Sequence, residues 1–267
     1  MFTGIVQAQA RLLEMLSREN FATLRLEFPE AFLGGLTRGA SICVDGVCLT
    51  ATEFNERQAC FDVMLETLRV TTLGQLRVGA LLNVERAAKQ DAEIGGHPLS
   101  GHIDGLAQIV KIHQPQDNYV LTFEVPETLL QYVFRKGYIA LNGTSLTIAD
   151  VDRSQKRFEV WLIPETLRVT TFGAKQVGDF INVEVERNTQ VIVDTVHSFL
   201  ARLLPEVLAT GKLSSLGAGA VLQGAVLQGA VLQGGMQQLQ AGLVDSLSLG
   251  SPTQPSIPVL ESGVKGK

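Results

Sequence analysis

ETLRVTTLG at residues 66–74 returns as ETLRVTTFG at 165–173: seven identical residues, then Leu73 against Phe172, then a shared glycine. VGALLNVE (78–85) returns as VGDFINVE (177–184) in the same register, 99 residues on. Toward the N-terminus the offset is 97, where SICVDGVCLTAT (41–52) aligns with YIALNGTSLTIA (138–149) and TGIVQA (3–8) with SGHIDG (100–105). The two-residue change falls where FDVMLET (61–67) becomes FEVWLIPET (158–166). Matches in one order, at nearly constant offset from residue 3 to residue 85, mark a duplicated domain. The expected division is a first copy at 1–97, a second at 98–187, a helix at 188–208 and a tail at 209–267.

Within each copy the hydrophobic period is two, the signature of half-buried strands. Leu24, Leu26 and Phe28 alternate with Thr23, Arg25 and Glu27, and Tyr119, Leu121, Phe123 and Val125 alternate with Val120, Thr122 and Glu124. Phe158, Val160 and Leu162 alternate with Glu159 and Trp161, as Ile181, Val183 and Val185 do with Asn182, Glu184 and Glu186. Turn signals at Asp45-Gly46, Asn142-Gly143 and Asn118 predict hairpins in an antiparallel barrel or sandwich. We read two small β-barrels. Short helices are expected to start at Pro29 and Pro126, where proline suits the first turn, and over ETLRVTT.

Residues 188–208 change period. Ile192, Val196, Phe199 and Leu203 are spaced four, three and four apart, with Asp194, His197 and Arg202 off the stripe and Asn188 or Thr189 as cap. Such a helix packs on its own domain or pairs with copies of itself, and near-heptad spacing favours the second. No aromatic residue follows Phe199, and 209–267 holds 11 of the 26 glycines, so the globular part is expected to end near residue 205. AVLQG, repeated at 220–224, 225–229 and 230–234, is too short for a solenoid coil and reads as disordered low complexity.

Several function classes are excluded early. A net charge of −5 argues against a bulk nucleic-acid binder. The N-terminus MFTGIVQAQA has no signal-peptide pattern and no apolar run is long enough to span a membrane, so a soluble, cytoplasmic protein is expected. Three cysteines (Cys43, Cys48, Cys60) are too few for a disulfide framework. Phosphate- and dinucleotide-binding glycine motifs are missing, and His97 and His102, five apart, have no standard metal-ligand spacing. Any chemistry therefore uses ordinary side chains and a bound organic molecule. Equivalent positions of the two copies differ where it would matter. Cys48 matches Ser145, each followed by Leu-Thr after a turn glycine (Gly46, Gly143); Ser41 matches Tyr138, and Ile5 matches His102. That unevenness suggests two similar pockets with different tasks. The plainer alternatives are a buried small side chain for Cys48 and a surface histidine for His102.

MFTGIV at the N-terminus, GVCLT at 46–50, IGGHPLSGHIDG at 94–105, NGTSLT at 142–147 and IPETLRVTT at 163–171 together closely resemble the riboflavin synthase alpha-chain family, from Met1 to about Leu204. The resemblance implies an all-β chain of two tandem six-stranded antiparallel Greek-key barrels, followed by a C-terminal helix that mediates a homotrimer. It implies a transferase that dismutates two 6,7-dimethyl-8-ribityllumazine molecules to riboflavin and 5-amino-6-ribitylaminouracil without a metal or cofactor. It also admits association with lumazine synthase. Family ring and ribityl contacts fall on Gly4, Ile5, Val6, Cys48, Leu49 and Thr50, and on Asp62, Val63, Met64, Leu65, Glu66 and Thr67. In the second copy they fall on Gly101, His102, Ile103, Lys136, Ser145, Leu146 and Thr147, and on Trp161, Leu162, Ile163, Pro164, Glu165 and Thr166. Ser41, Cys48 and His102 carry the family's proposed catalysis, with Phe2 and Thr147 in support, at a site shared between neighbouring subunits. Lumazine-binding antenna proteins share the duplicated fold without the chemistry; Ser41, Cys48 and His102 together favour the enzyme.

Overall fold

A computed structural model describes residues 1–210 except Gln90, Gln116 and Asp117, with side chains through Pro205. The AVLQG repeats and the tail expected to be disordered lie outside the described residues from 211 onward. The first repeat contributes β1 (Ala8–Ser17), β2 (Phe21–Glu27), β3 (Ser41–Val44), β4 (Val47–Phe54), β5 (Gln58–Met64) and β6 (Leu81–Arg86), closed in the order β1-β2-β5-β4-β3-β6. The second contributes β7 (Gly105–His113), β8 (Tyr119–Glu124), β9 (Tyr138–Leu141), β10 (Thr144–Asp152), β11 (Arg157–Leu162) and β12 (Phe180–Val185), closed as β10-β11-β8-β7-β12-β9. Both are antiparallel Greek-key barrels, in which every strand pairs with a neighbour on each side over at least part of its length.

The period-two residues fill the barrels as expected. Leu24, Leu26, Phe28 and Phe61 are buried in one core, and Leu121, Phe123, Phe158 and Val160 in the other. Strands β6 and β12 depart from the pattern, because Asn83, Glu85, Asn182 and Glu184 on their outward faces are also buried. Water is excluded there by the other barrel, so those strands are covered on both sides.

Helices α1 (Leu65–Val70) and α3 (Pro164–Val169) form over the repeated ETLRVTT, and α2 (Glu127–Leu130) follows Pro126. The helix expected at Pro29 does not form. Three successive tight turns replace it, closed by Phe32 N–H to Pro29 O, Gly34 N–H to Ala31 O and Leu36 N–H to Leu33 O, and Ala31 takes a left-handed φ of 64° that interrupts any helix. Helix α4 (Arg187–Thr210) is capped not by Asn188 or Thr189 but by Glu186, whose carboxylate accepts the N–H groups of both. Tyr132 holds the first half of α4 by donating to Asp194 at 2.6 Å. The chain's first compact unit ends at Thr195 and a second begins at Val196, within α4.

The barrels meet about a pseudo-two-fold axis. Phe2 and Leu99, equivalent residues, exchange both backbone hydrogen bonds at 2.9 Å and cluster with Cys43 and Ala140. Asn83 donates from Nδ2 to Asn142 O and accepts Thr171 N–H, while Asn182 donates to Asp45 O and accepts Thr72 N–H, at 2.8–3.0 Å. The turns Asp45-Gly46 and Asn142-Gly143 touch at the axis, where a Cβ on Gly46 would lie 2.8 Å from Gly143 N. Both turns have two left-handed residues, the conformation for which Asp-Gly and Asn-Gly are suited.

Asp45 breaks the symmetry electrostatically. Burial pushes its carboxyl up to about 7, against the pull of Lys175 and the Asn83 N–H bond, whereas the equivalent Asn142 accepts Asn182 N–H without charge. A carboxyl with a raised folded-state pKa favours folding fully below its unfolded value of 3.8, and loses that contribution as pH rises through about 7. Asp45→Asn is therefore expected to stabilise the chain by about 1–3 kcal/mol at pH 8 and by little at pH 4, measured by urea unfolding. An equal effect at both pH values would contradict the assignment.

Candidate active site

Each barrel has a place where two neighbouring strands part. β4 and β5 pair from Phe54–Ala59 to Ala51–Phe61; beyond that β4 pairs with β3 and β5 with β2. β10 and β11 likewise pair from Asp152–Arg157 to Ile148–Val160 before diverging. Strand edges that diverge this way leave main-chain donors and acceptors facing a gap. A planar heterocycle edged with carbonyl and N–H groups is suited to such a gap. Residues 48–50 and 62–64 flank the first cleft, and 145–147 and 161–163 the second.

The leading segment of the opposite repeat enters each cleft. Cys48 N–H donates to Gly101 O, and Ser145 N–H to Gly4 O, both at 2.8 Å. Hence Gly4–Val6 join Ser145–Thr147, and Gly101–Ile103 join Cys48–Thr50. A glycine is required at both crossings, since an added Cβ would lie 2.5 Å from Ser145 Cβ at Gly4 and 2.6 Å from Cys48 Cβ at Gly101. Both glycines have positive φ, so any side chain would be strained as well as crowded.

Side chains at the first cleft include Ser41, which pairs across the hairpin with exposed Thr50, half-buried Cys48, and exposed Met64 and His102. Asp62 accepts a hydrogen bond from Thr23. In the second cleft, Tyr138 pairs with Thr147, and Trp161 and Ile163 stand exposed on the opposite wall. Val6, Leu49, Val63, Leu146 and Leu162 are buried, so those positions offer a ligand main chain only. Ile103 packs partly into the first core. Leu65, Thr67, Pro164 and Thr166 lie in or beside α1 and α3, where Glu66 and Glu165 pair with Arg69 and Arg168. Those hydrogen bonds hold both carboxyls below the usual carboxylate range. Lys136 adopts a left-handed φ of 69° at the position of Gly39 in the first repeat. Phe2 is fully buried between the barrels and reaches neither cleft's surface.

The sequence reading missed a role for His97, which it weighed only as a metal ligand. His97 is buried, its Nδ1 lies 2.6 Å from Ser145 Oγ, and its ring stacks on Tyr138 at 5.2 Å. Burial pushes its imidazole down, against the opposing charge of Glu186. At the position of Tyr138 the first repeat has Ser41, so the first cleft has no matching ring there. An open groove of about 710 Å³ between Thr3–Gln7 and Glu85–Gly95 adjoins the second cleft at Ile5.

The sequence matches the lumazine binding domain family twice, over residues 3–87 and 100–186. It is 48% identical over 202 residues to riboflavin synthase of Escherichia coli strain K12, covering 75% of this chain and 94% of the relative. The chain belongs to the riboflavin synthase family. It is thereby an enzyme, a transferase. Riboflavin synthase of Chlamydia pneumoniae is 43% identical over 201 residues, covering 75% of this chain and 98% of its own. Among solved structures, LumP complexed with 6,7-dimethyl-8-(1′-D-ribityl)lumazine superimposes with a TM-score of 0.63 at 24% identity, over 70% of this chain and 99% of LumP. LumP complexed with riboflavin gives 0.63 at 24% identity, over 70% and 100%. The LumP structures share the duplicated-barrel fold.

Substituting the crossing glycines tests the cleft geometry. Gly101→Ala is expected to destabilise by more than about 2 kcal/mol, since crowding adds to conformational strain. Gly79→Ala, with positive φ but nothing within 4 Å, is expected to lose only about 1 kcal/mol. Equal shifts in the urea midpoint would mean that Gly101 does not approach Cys48 so closely.

Proposed function

We propose that the chain dismutates two 6,7-dimethyl-8-ribityllumazine molecules to riboflavin and 5-amino-6-ribitylaminouracil. The observation that carries this reading is the pair of matched clefts, each built from both repeats, in a member of the riboflavin synthase family. Two copies of one heterocycle call for two similar sites, and a donor and an acceptor of four carbons call for sites that differ. Cys48 against Ser145, and Ser41 against Tyr138, supply that difference.

The substrate is already activated. One ring loses a proton from its acidic 7-methyl group, and the other takes a nucleophile at its imine carbon. A four-carbon unit then moves between them. The two products together contain all the atoms of the two substrates, so no external oxidant enters. The protein holds the rings face to face, which replaces a bimolecular encounter by a nearly intramolecular one. Main-chain N–H groups at the parted strands would hold developing charge on the ring carbonyls. Cys48, Ser41 and His102 supply a nucleophile and proton-transfer groups at the first cleft. Lys136, Ser145 and Thr147 orient the ring and ribityl chain at the second.

In this reading the face-to-face rings come from the first cleft of one subunit and the second cleft of another. Val191 and Ile192 are both 63% exposed on the first half of α4, which supports its use between copies in a homotrimer. Substituting Ile192→Glu with Phe199→Glu is expected to give smaller species in sedimentation, with folded barrels and poor turnover. A folded monomer of full specific activity would contradict the shared site.

The direct test is to add the lumazine to purified protein and follow the flavin absorption band. Growth of that band supports the reading. Binding without flavin formation would instead favour a lumazine-binding antenna. Cys48→Ala is expected to lower turnover at least tenfold more than Ser145→Ala, roughly the loss of one reactive group in the transition state. Equal small losses would overturn the division of labour.

A further inference from the structure

The segments that complete the clefts do not hold themselves in place. Thr3 and Ser100, equivalent residues, each begin a tight bend, and each bend is gripped by a buried carboxylate. Glu85 accepts Thr3 N–H at 2.6 Å, Thr3 Oγ1–H at 2.7 Å and Gly4 N–H at 3.0 Å. Glu184 accepts Ser100 N–H at 2.7 Å, Ser100 Oγ–H at 2.6 Å and Gly101 N–H at 2.9 Å. The hydroxyls pass the constraint on, because Thr3 Oγ1 accepts Ile5 N–H and Ser100 Oγ accepts His102 N–H. Both carboxylates are 2% exposed, and burying them is tolerable only with such a complement of donors. Burial pushes the Glu85 carboxyl up, and the Thr3 and Gly4 bonds oppose the rise.

The wiring is crossed. Glu85 lies on β6 of the first barrel, yet the segment it grips lines the second cleft through Gly4 and Ser145. Glu184 lies on β12 of the second barrel, and its segment lines the first cleft through Gly101 and Cys48. The second grip is the firmer, since Arg187 also donates to His102 O at 2.8 Å and to Asp104 at 2.7 Å. Alanine 88 stands at the position of Arg187 in the first repeat.

We propose that Glu85 and Glu184 are crossed positioning residues, each fixing through Thr3 or Ser100 the ligand-facing segment of the cleft on the other barrel. The inference rests on the reading that both clefts take flavin and lumazine rings. It assigns roles to four residues that touch no reacting atom: Glu85, Glu184, Thr3 and Ser100.

Equivalent positions supply one reporter for each cleft. Met64 is 69% exposed at the first, and Trp161, the chain's single tryptophan, is 53% exposed at the second. The full chain is titrated with riboflavin while the Met64 methyl and Trp161 indole N–H resonances are followed by NMR. Ser100→Ala removes both hydrogen bonds of the hydroxyl, to Glu184 and from His102 N–H, and is expected to weaken the binding seen at Met64 by about fivefold or more, leaving that at Trp161 within about twofold. Thr3→Val is expected to do the reverse. Glu184→Gln and Glu85→Gln should enlarge the same crossed pattern, and the two milder variants keep the test open if either fails to fold. Equal weakening at both reporters, or a loss of thermal stability with both affinities unchanged, would reduce the carboxylates to structural groups and overturn the proposal. A wild-type chain in which riboflavin moves neither resonance would overturn the underlying reading of the clefts, and the clamps' role with it.

Discussion

The structure depends on a reciprocal exchange of hydrogen bonds across the pseudo-two-fold axis. Each barrel lends the other a main-chain segment, a buried asparagine and a turn. The asparagines are constrained tightly, since Asn83 and Asn182 each satisfy a backbone carbonyl and a backbone N–H of the partner barrel. Loss of either leaves buried main-chain groups without partners, and unmet buried donors and acceptors are more expensive than a lost contact. This is why β6 and β12 carry polar residues on faces that water does not reach. It also explains how a shallow gap between strands becomes a cleft with a third wall.

Duplication followed by divergence gives the arrangement its chemical interest. The exchange is kept nearly symmetric, with Glu85 and Glu184, Asn83 and Asn182, and Gly4 and Gly101 in matching roles. The residues facing the clefts are free to differ. Cys48 matches Ser145, and buried His97 bonds to Ser145 and stacks on half-exposed Tyr138, where the first repeat has Ser41. Lys136 accepts a left-handed backbone where the first repeat has Gly39, a strain that a functional side chain would account for. One scaffold thus offers two faces that recognise the same ring and treat it differently.

Much of this was legible in the sequence, and the reasons are specific. ETLRVTT and VG-x-x-x-N-V-E, repeated in register, gave away the duplication, and period two in residues such as Leu24–Phe28 gave the strands. Asp45-Gly46 and Asn142-Gly143 located the hairpins because those pairs suit two left-handed residues. The turns at Pro29 escaped the reading because proline tolerates a turn as readily as a helix start, and Ala31 gives no sign of positive φ. The crossing of Gly4 to Ser145 and Gly101 to Cys48 was not visible either. Long-range partners leave no local trace, and the matching of TGIV with SGHI shows only that the two segments are equivalent. Glu85 and Glu184 looked like outward strand charges, since period two cannot tell a solvated face from one covered by a second barrel.

Hydrogen exchange tests the exchange between barrels most directly. The amides of Cys48, Thr72, Ser145 and Thr171 all donate to acceptors on the other repeat. In native-state exchange of the full chain, the four are expected to be protected to a similar degree and to open together as one cooperative unit. Rapid exchange at these amides, at the rate of open loops and independent of one another, would contradict a structure held by reciprocal contacts.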